Sequence, residues 1–227
     1  MSLIDNMLLI LLGWLLGLFA PIIVGVIKDN GEAKATKIAL FTELQELQYR
    51  LLLMLYKIEV KYGDLNSDFF KLAQDIFIKY KGVNSIDSLL KTIGPLLKLN
   101  TEEMAAYSQL AREQNLPDSG LELKKISLSL LESNLPLLTR FDPILRGHLL
   151  EIKTHVGFMN ATVDDSRYYF RLSFQNNISK ENYEIAHINM VNSYKTYASQ
   201  ARVVINFINK ILPKERKQYN QNIILIE

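Results

Sequence analysis

Cysteine is absent from the 227 residues. That excludes disulfides, thiolate catalysis and Cys-ligated zinc together, and it suits a reducing compartment. An excess of one charge is missing too: 26 Lys and Arg stand against 24 Asp and Glu, a net charge of +2. The cations are spread along the chain without a basic stripe interleaved with aromatics, so no nucleic acid is expected as a partner. Phosphate-cradling G-x-x-x-x-G-K-[ST] and G-x-G-x-x-G patterns do not occur, and neither does G-x-S-x-G or H-E-x-x-H. No catalytic residue, cofactor or metal is therefore assigned, and the chain is expected not to be an enzyme. Alternating strand patterns are lacking as well, apart from the short run Ile223 to Ile226.

What is present points to helices and to a membrane. Apolar residues make up 48% and charged residues 22%, a balance that lets a chain bury a core. The length suits one membrane segment and one ordinary domain. Met7 to Ile27 (MLLILLGWLLGLFAPIIVGVI) holds 21 residues with no ionisable group. As a helix it would be about 31 Å long, close to the ~30 Å of a hydrocarbon core. A cleaved signal peptide would need a basic start and a small-x-small cleavage site. Here the first six residues carry Asp5 and no cation, and Pro21 follows Ala20. The run is expected to be a single transmembrane helix and membrane lipid its first partner. Lys28, Lys34 and Lys37 follow it and no cation precedes it. The positive-inside rule then puts residues 1–6 outside and the rest in the cytoplasm.

Gly13, Gly17, Pro21 and Gly25 recur every four residues. Small residues at this spacing let two membrane helices approach closely, which predicts a homo-oligomer through the span. The plainer reading is that glycine is common in such helices.

Residues 28–37 read as a juxtamembrane linker, with a hinge at Lys28-Asp29-Asn30-Gly31. Residues 38–212 read as a cytoplasmic antiparallel helical bundle, and 213–227 as a tail. The fold class is thus all-α: three long helices with several short ones. The first long helix runs from about Glu32 to Tyr62, with a stripe of Phe41, Leu44, Gln48, Leu51, Leu55, Ile58 and Tyr62. Short helices are predicted over Ser67–Lys81, Ser85–Ile93, Thr101–Gln114 and Leu121–Leu131, with a loop at Leu116–Gly120 and a connector at Leu135–Phe141. Asp142 followed by Pro143 starts a helix whose stripe is Leu145, Leu149, Ile152, Val156, Met159, Val163, Ser166 and Phe170. After a turn at Asn176–Ser179, the last helix buries Tyr183, His187, Met190, Tyr194, Tyr197, Ala201, Val204, Ile208 and Ile211, and Pro213 ends it.

Two constellations resemble chemistry. His148, Glu151 and His155 share a helix face, and Glu184-x-x-His187 has di-iron spacing. In an antiparallel hairpin turning near Asn177 to Ser179, facing residue numbers sum to about 356. His187 then lies ~21 Å along the axis from His155, too far for one metal with bonds of ~2.1 Å. Asn160, Asp164, Arg167 and Arg171 form a polar line beside Tyr168, Tyr169 and Phe170, with Arg171 facing Glu181 and Glu184. This is either a surface ion-pair network or a partner site. The tail pairs Lys214, Arg216 and Lys217 with Ile223 to Ile226, and either touches anionic lipid, is grasped by a partner or folds back.

The layout as a whole resembles small bacterial inner-membrane proteins with one N-terminal anchor and a helical cytoplasmic domain. The likeness rests on no motif and implies no residue role. The function expected is that of a membrane-anchored, non-enzymatic interaction or sensing protein with an unknown protein partner. The alternative is a membrane-integrity effector, toxin-like or anti-phage, whose span oligomerises. The lack of a polar, pore-lining face argues against it. A hydrolase or metal enzyme comes third.

Overall fold

The structure, a computed structural model, describes the backbone of residues 3–82, 84–114, 121–175 and 178–224; within these, it describes the side chains of residues 28 and 31–212. Seven α-helices and one 3₁₀ turn follow one another: α1 (Leu3–Tyr62), α2 (Ser67–Lys79), α3 (Asp87–Leu96), α4 (Thr101–Glu113), α5 (Ser129–Ser133), the 3₁₀ helix Leu135–Arg140, α6 (Pro143–Ser173) and α7 (Lys180–Ile224). Among the described residues every element is helical, as the sequence predicts.

The hinge expected at Lys28 to Gly31 is not there. α1 is one helix of 60 residues, about 90 Å long. One glycine in a helix costs only about 1 kcal/mol. Gly31 is also followed by the good helix formers Glu32, Ala33 and Lys34 and by no proline, so a helix that is already propagating continues. The apolar run Met7–Ile27 and Gly13, Gly17, Pro21 and Gly25 lie outside the described side chains. Among the described residues no helix is long and apolar enough to cross a membrane.

Beyond the lysines, α1 buries Leu40, Leu44, Leu47, Leu51, Leu52, Leu55 and Ile58. The 3–4 spacing turns these onto one broad face. Each such side chain contributes roughly 1.5–3 kcal/mol on burial. Phe41 and Tyr62, expected on the same stripe, are half-buried. Gln48 is buried and satisfied by the Asn209 amide at 2.7 Å.

The short helices follow their caps. Asn66 caps α2, accepting from the Phe69 amide at 2.9 Å. α4 has a capping box in which Asn100 and Glu103 bond each other's backbone amides, both at 2.9 Å. α3 departs from expectation at both ends. It starts at Asp87 and not at Ser85, with Ile86 at the N-cap making no side-chain bond. It also does not end at Ile93 but runs through Gly94 and Pro95 to Leu96. Gly94 has no Cβ for the proline ring to crowd, and only one more helical residue follows. The loop expected at Leu116–Gly120 lies outside the described residues.

The helix predicted over Leu121–Leu131 is absent in its first two thirds. Residues 121–128 carry no helix, and α5 forms only at Ser129. Side chains of α6 and α7 bond the backbone of this segment and so replace the bonds a helix would make.

α6 and α7 form the predicted antiparallel hairpin. Asp142 accepts from the amides of Ile144 and Leu145 at 2.9 and 3.2 Å, with Pro143 at the first helical position. Ser179 accepts from the Asn182 amide at 3.2 Å at the start of α7. His155 meets Gln200 at 2.6 Å; their numbers sum to 355, against the expected 356. The stripes are buried as predicted from Leu145 to Ser166 on α6 and from Met190 to Ile211 on α7. They fail towards the turn, where Phe170, Tyr183 and His187 are exposed. Proline does not end α7: the helix continues through position 213 to Ile224, so most of the expected tail has helical backbone. A missing donor removes one bond from a helix already formed on both sides.

α1 runs antiparallel to α7. Tyr62 stacks on Tyr194 at 5.2 Å, Arg202 meets Glu59 at 2.7 Å and Gln48 meets Asn209. α2 and α4 pack on α1 and α3 packs on α2, and one continuous core joins all of them.

Candidate functional site

Three of the polar side chains predicted to form a partner patch hold the chain's own residues 121–128. Asn160, on α6, accepts from the Ile126 amide at 2.8 Å through its Oδ1 and donates to the Ile126 carbonyl at 2.7 Å through its Nδ2. One turn on, Asp164 pairs with Lys125 at 2.7 Å. Another turn on, Arg167 donates to the Leu123 carbonyl at 3.4 Å. From α7, the Tyr194 hydroxyl accepts from the Leu121 amide at 3.2 Å. These bonds satisfy backbone groups that a helix would otherwise pair internally. They leave the segment open enough to bury Leu123 and Leu128 at once. Glu43 of α1 then takes the exposed amides of Leu130 and Leu131 at 2.9 and 3.0 Å, which starts α5.

The other patch residues lie further along α6, at the hairpin end. Tyr62 stacks on Tyr194 at the last turn of α1. The first fourteen residues of α7, Lys180 to Ser193, therefore extend about 21 Å past the end of α1. There α7 is paired with α6. Two helices can bury only their facing stripes, and the flanks of this end carry large apolar groups. Tyr168 is 56% exposed, Phe174 71% and Ile188 56%, with Phe170, Tyr183 and Ile185 also exposed. Phe170 and Phe174 meet edge to face at 4.8 Å, and Tyr168 and Tyr169 at 5.3 Å. Tyr169 itself packs against the core. Arg171 donates to the Arg167 carbonyl at 3.3 Å, and Glu184 pairs with Lys180 at 3.9 Å.

Lys34 and Lys37, assigned to topology, stand on α1 in the turns after Lys28. Lys37 lies over the Phe41 ring at 5.9 Å.

Each histidine lies beside an aromatic ring. His155 bonds Gln200 and lies 5.8 Å from the Phe207 ring, His148 lies 5.5 Å from the same ring, and His187 stacks on Tyr183 at 6.5 Å. Among the described residues no group of three His, Asp or Glu is placed to share a metal ion.

A groove of about 1,020 Å³ runs between α1 and residues 121–129. The carboxylates on its α1 wall are both engaged. Glu43 caps α5. Glu46 accepts from the Tyr80 hydroxyl at 2.6 Å, from Asn84 and from Arg50 at 3.0 Å. Burial raises the Glu46 pKa, but the bonds from Tyr80, Arg50 and Asn84 and the Arg50 charge outweigh it and hold the carboxyl below its ordinary range. The sequence analysis assigns no role to Glu43 or Glu46. Their position on an otherwise core-forming helix is the signal that they bond other elements. Comparison with known proteins gives no match: no family model, no curated protein and no solved structure is significantly similar to this chain.

Proposed function

We propose that the protein is a membrane-anchored, non-enzymatic interaction protein that offers the α6–α7 hairpin end to a protein partner. The observation that carries this reading is the apolar flank of that end: Tyr168, Phe170, Phe174, Tyr183, Ile185 and Ile188 stand exposed beyond the last turn of α1. Monomeric soluble surfaces rarely gather large apolar groups in this way unless something covers them. The apolar run Met7–Ile27 is the anchor, a single pass through a bacterial inner membrane. Lys28, Lys34 and Lys37 keep the helical domain on the cytoplasmic side, and the face of Gly13, Gly17, Pro21 and Gly25 joins two spans.

The anchor is tested by fractionation. The full chain should sediment with membranes after alkaline carbonate washing, and protease added to spheroplasts should leave the helical domain intact. Recovery in the supernatant, or digestion of the domain from outside, removes the reading. The surface is tested by a photo-crosslinker at position 174, with position 144 at the opposite end of α6 as the control; both positions are exposed. A discrete adduct at 174 and none at 144 is expected. The double variant Phe174→Ser, Ile185→Ser should weaken capture of that partner by at least about ten-fold. It should change stability by less than about 0.5 kcal/mol, since both side chains lie at the surface. Equal adducts from both positions, or unchanged capture by the double variant, would count against the hairpin end.

A further inference from the structure

An apolar cleft of about 150 Å³ lies where α1, α2, α3 and α4 meet. Leu52 of α1 forms its floor, Phe70, Ala73 and Phe77 of α2 one wall, Ile93 of α3 the opposite wall, and Tyr107 of α4 an end. The cleft is partly open to solvent, so its apolar lining lacks the packing partners that a close-packed interior supplies. Its frame resists collapse because the rings brace one another: Phe69 against Phe70 edge to face at 5.5 Å, and Phe70 against Tyr107 at 6.2 Å.

The lining decides what fits. No charged side chain is among it. The Tyr56 and Tyr107 hydroxyls bond each other, and Thr92 donates to the Ser88 carbonyl at 2.9 Å. A charged or strongly polar ligand would lose its water and gain no partner. Nucleotides and other ligands that need about 300 Å³ or more are too large. An enclosed apolar cavity of about 150 Å³ admits a molecule the size of benzene, and this partly open cleft matches it in volume.

One wall is held less firmly than the rest. α3 has no side-chain cap on its first turn and carries Pro95 in its last. It packs chiefly on α2, and its Leu89 and Leu96 are only partly buried. The exposed lining residues Tyr56 and Thr92 mark where the cleft meets solvent. We infer that this cleft binds one small neutral apolar molecule, of the size of a single aromatic ring, with α3 as its movable wall. The site is separate from the hairpin end, and the inference stands whether or not that end docks a partner.

Toluene is the probe, added to the full-length chain in lipid nanodiscs, with benzoate as its charged counterpart. Toluene should shift the NMR signals of Ala73 and Ile93 saturably and raise the unfolding temperature, and benzoate should do neither. Ala73→Leu fills the cleft from α2, and Leu89→Phe fills it from α3. Each should weaken toluene binding by at least about ten-fold with unchanged helicity, and the second variant serves if the first perturbs folding. Absence of a saturable shift, a shift that survives both fillings, or benzoate binding as well as toluene would overturn the assignment.

Discussion

Replacing Asn160 with leucine is expected to lower the stability of the helical domain by about 2–4 kcal/mol, because the Ile126 N–H and C=O both lose their partner, at roughly 1–3 kcal/mol each. The side chain makes both bonds itself, at 2.8 and 2.7 Å, and the site is partly buried, so water replaces them only in part. Leucine is close in size, which separates the lost bonds from a lost volume. The neighbouring Asp164→Asn is the control. Its Lys125 partner and the carboxylate are about half exposed, so breaking the pair should cost less than about 1 kcal/mol. Urea unfolding of the full chain in detergent, followed by far-ultraviolet circular dichroism, gives both values. Hydrogen exchange at the Ile126 amide localises the effect. If Asn160→Leu unfolds at the same midpoint as Asp164→Asn, the clasp contributes little and residues 121–128 are held by Leu123 and Leu128 alone.

The second large effect is expected in alkali. Burial pushes the Tyr197 phenol from its ordinary 10.0 up to about 12. Burial, followed by the Tyr194 phenol, does the same for Tyr62, and burial, followed by the bond to Tyr56, does so for Tyr107, each to about 12. Since the folded values lie above the unfolded one, the stability contributed by the neutral phenols is complete below pH 10 and is lost as pH rises towards 12. For the buried Tyr197, two pH units at ~1.36 kcal/mol each correspond to about 2.7 kcal/mol. Tyr62 and Tyr107 are partly exposed and contribute less. Urea midpoints measured across this range should fall steeply for the native chain. Tyr197→Phe should flatten the slope by about one proton. A slope identical in the two chains would show that Tyr197 ionises freely and that its surroundings are wetter than its burial implies.

The long helices were legible because their signals are repeated many times. The Leu145–Ser166 stripe, the Asp142-Pro143 start and the turn before Ser179 each add an independent constraint, and the register between α6 and α7 follows from the turn alone. Stops were harder to read. Gly31 and Pro213 are single residues set against helices with many other bonds, and the sum prevails over one weak position. Residues 121–128 were misread for a different reason. Leu121, Leu123, Ile126 and Leu128 fit a helix as well as an extended segment, and the choice is made by Asn160 and Tyr194, more than thirty and seventy residues away. The polar line on α6 was visible as a line, but a sequence cannot tell whether Asn160 and Arg167 face a partner or their own chain. The exposed hairpin end was hidden by the same periodicity that revealed the hairpin. Phe170 and Tyr183 keep the spacing of the stripe, and only the point at which α1 stops decides that nothing there covers them.

An unbroken α1 has a mechanical consequence. A flexible joint after the lysines would let the helical domain swing independently of the first 27 residues. Without one, the stretch from Lys28 to Tyr62 acts as a rod of about 52 Å. If Met7 to Ile27 lie in lipid as proposed, a change in hydrocarbon thickness alters the angle at which the helix stands. Roughly ten degrees of added lean would carry the far end of the rod sideways by about 9 Å. The bundle, fixed to it through Arg202 with Glu59 and Asn209 with Gln48, would travel along, so that a small adjustment among acyl chains becomes a displacement as wide as a helix.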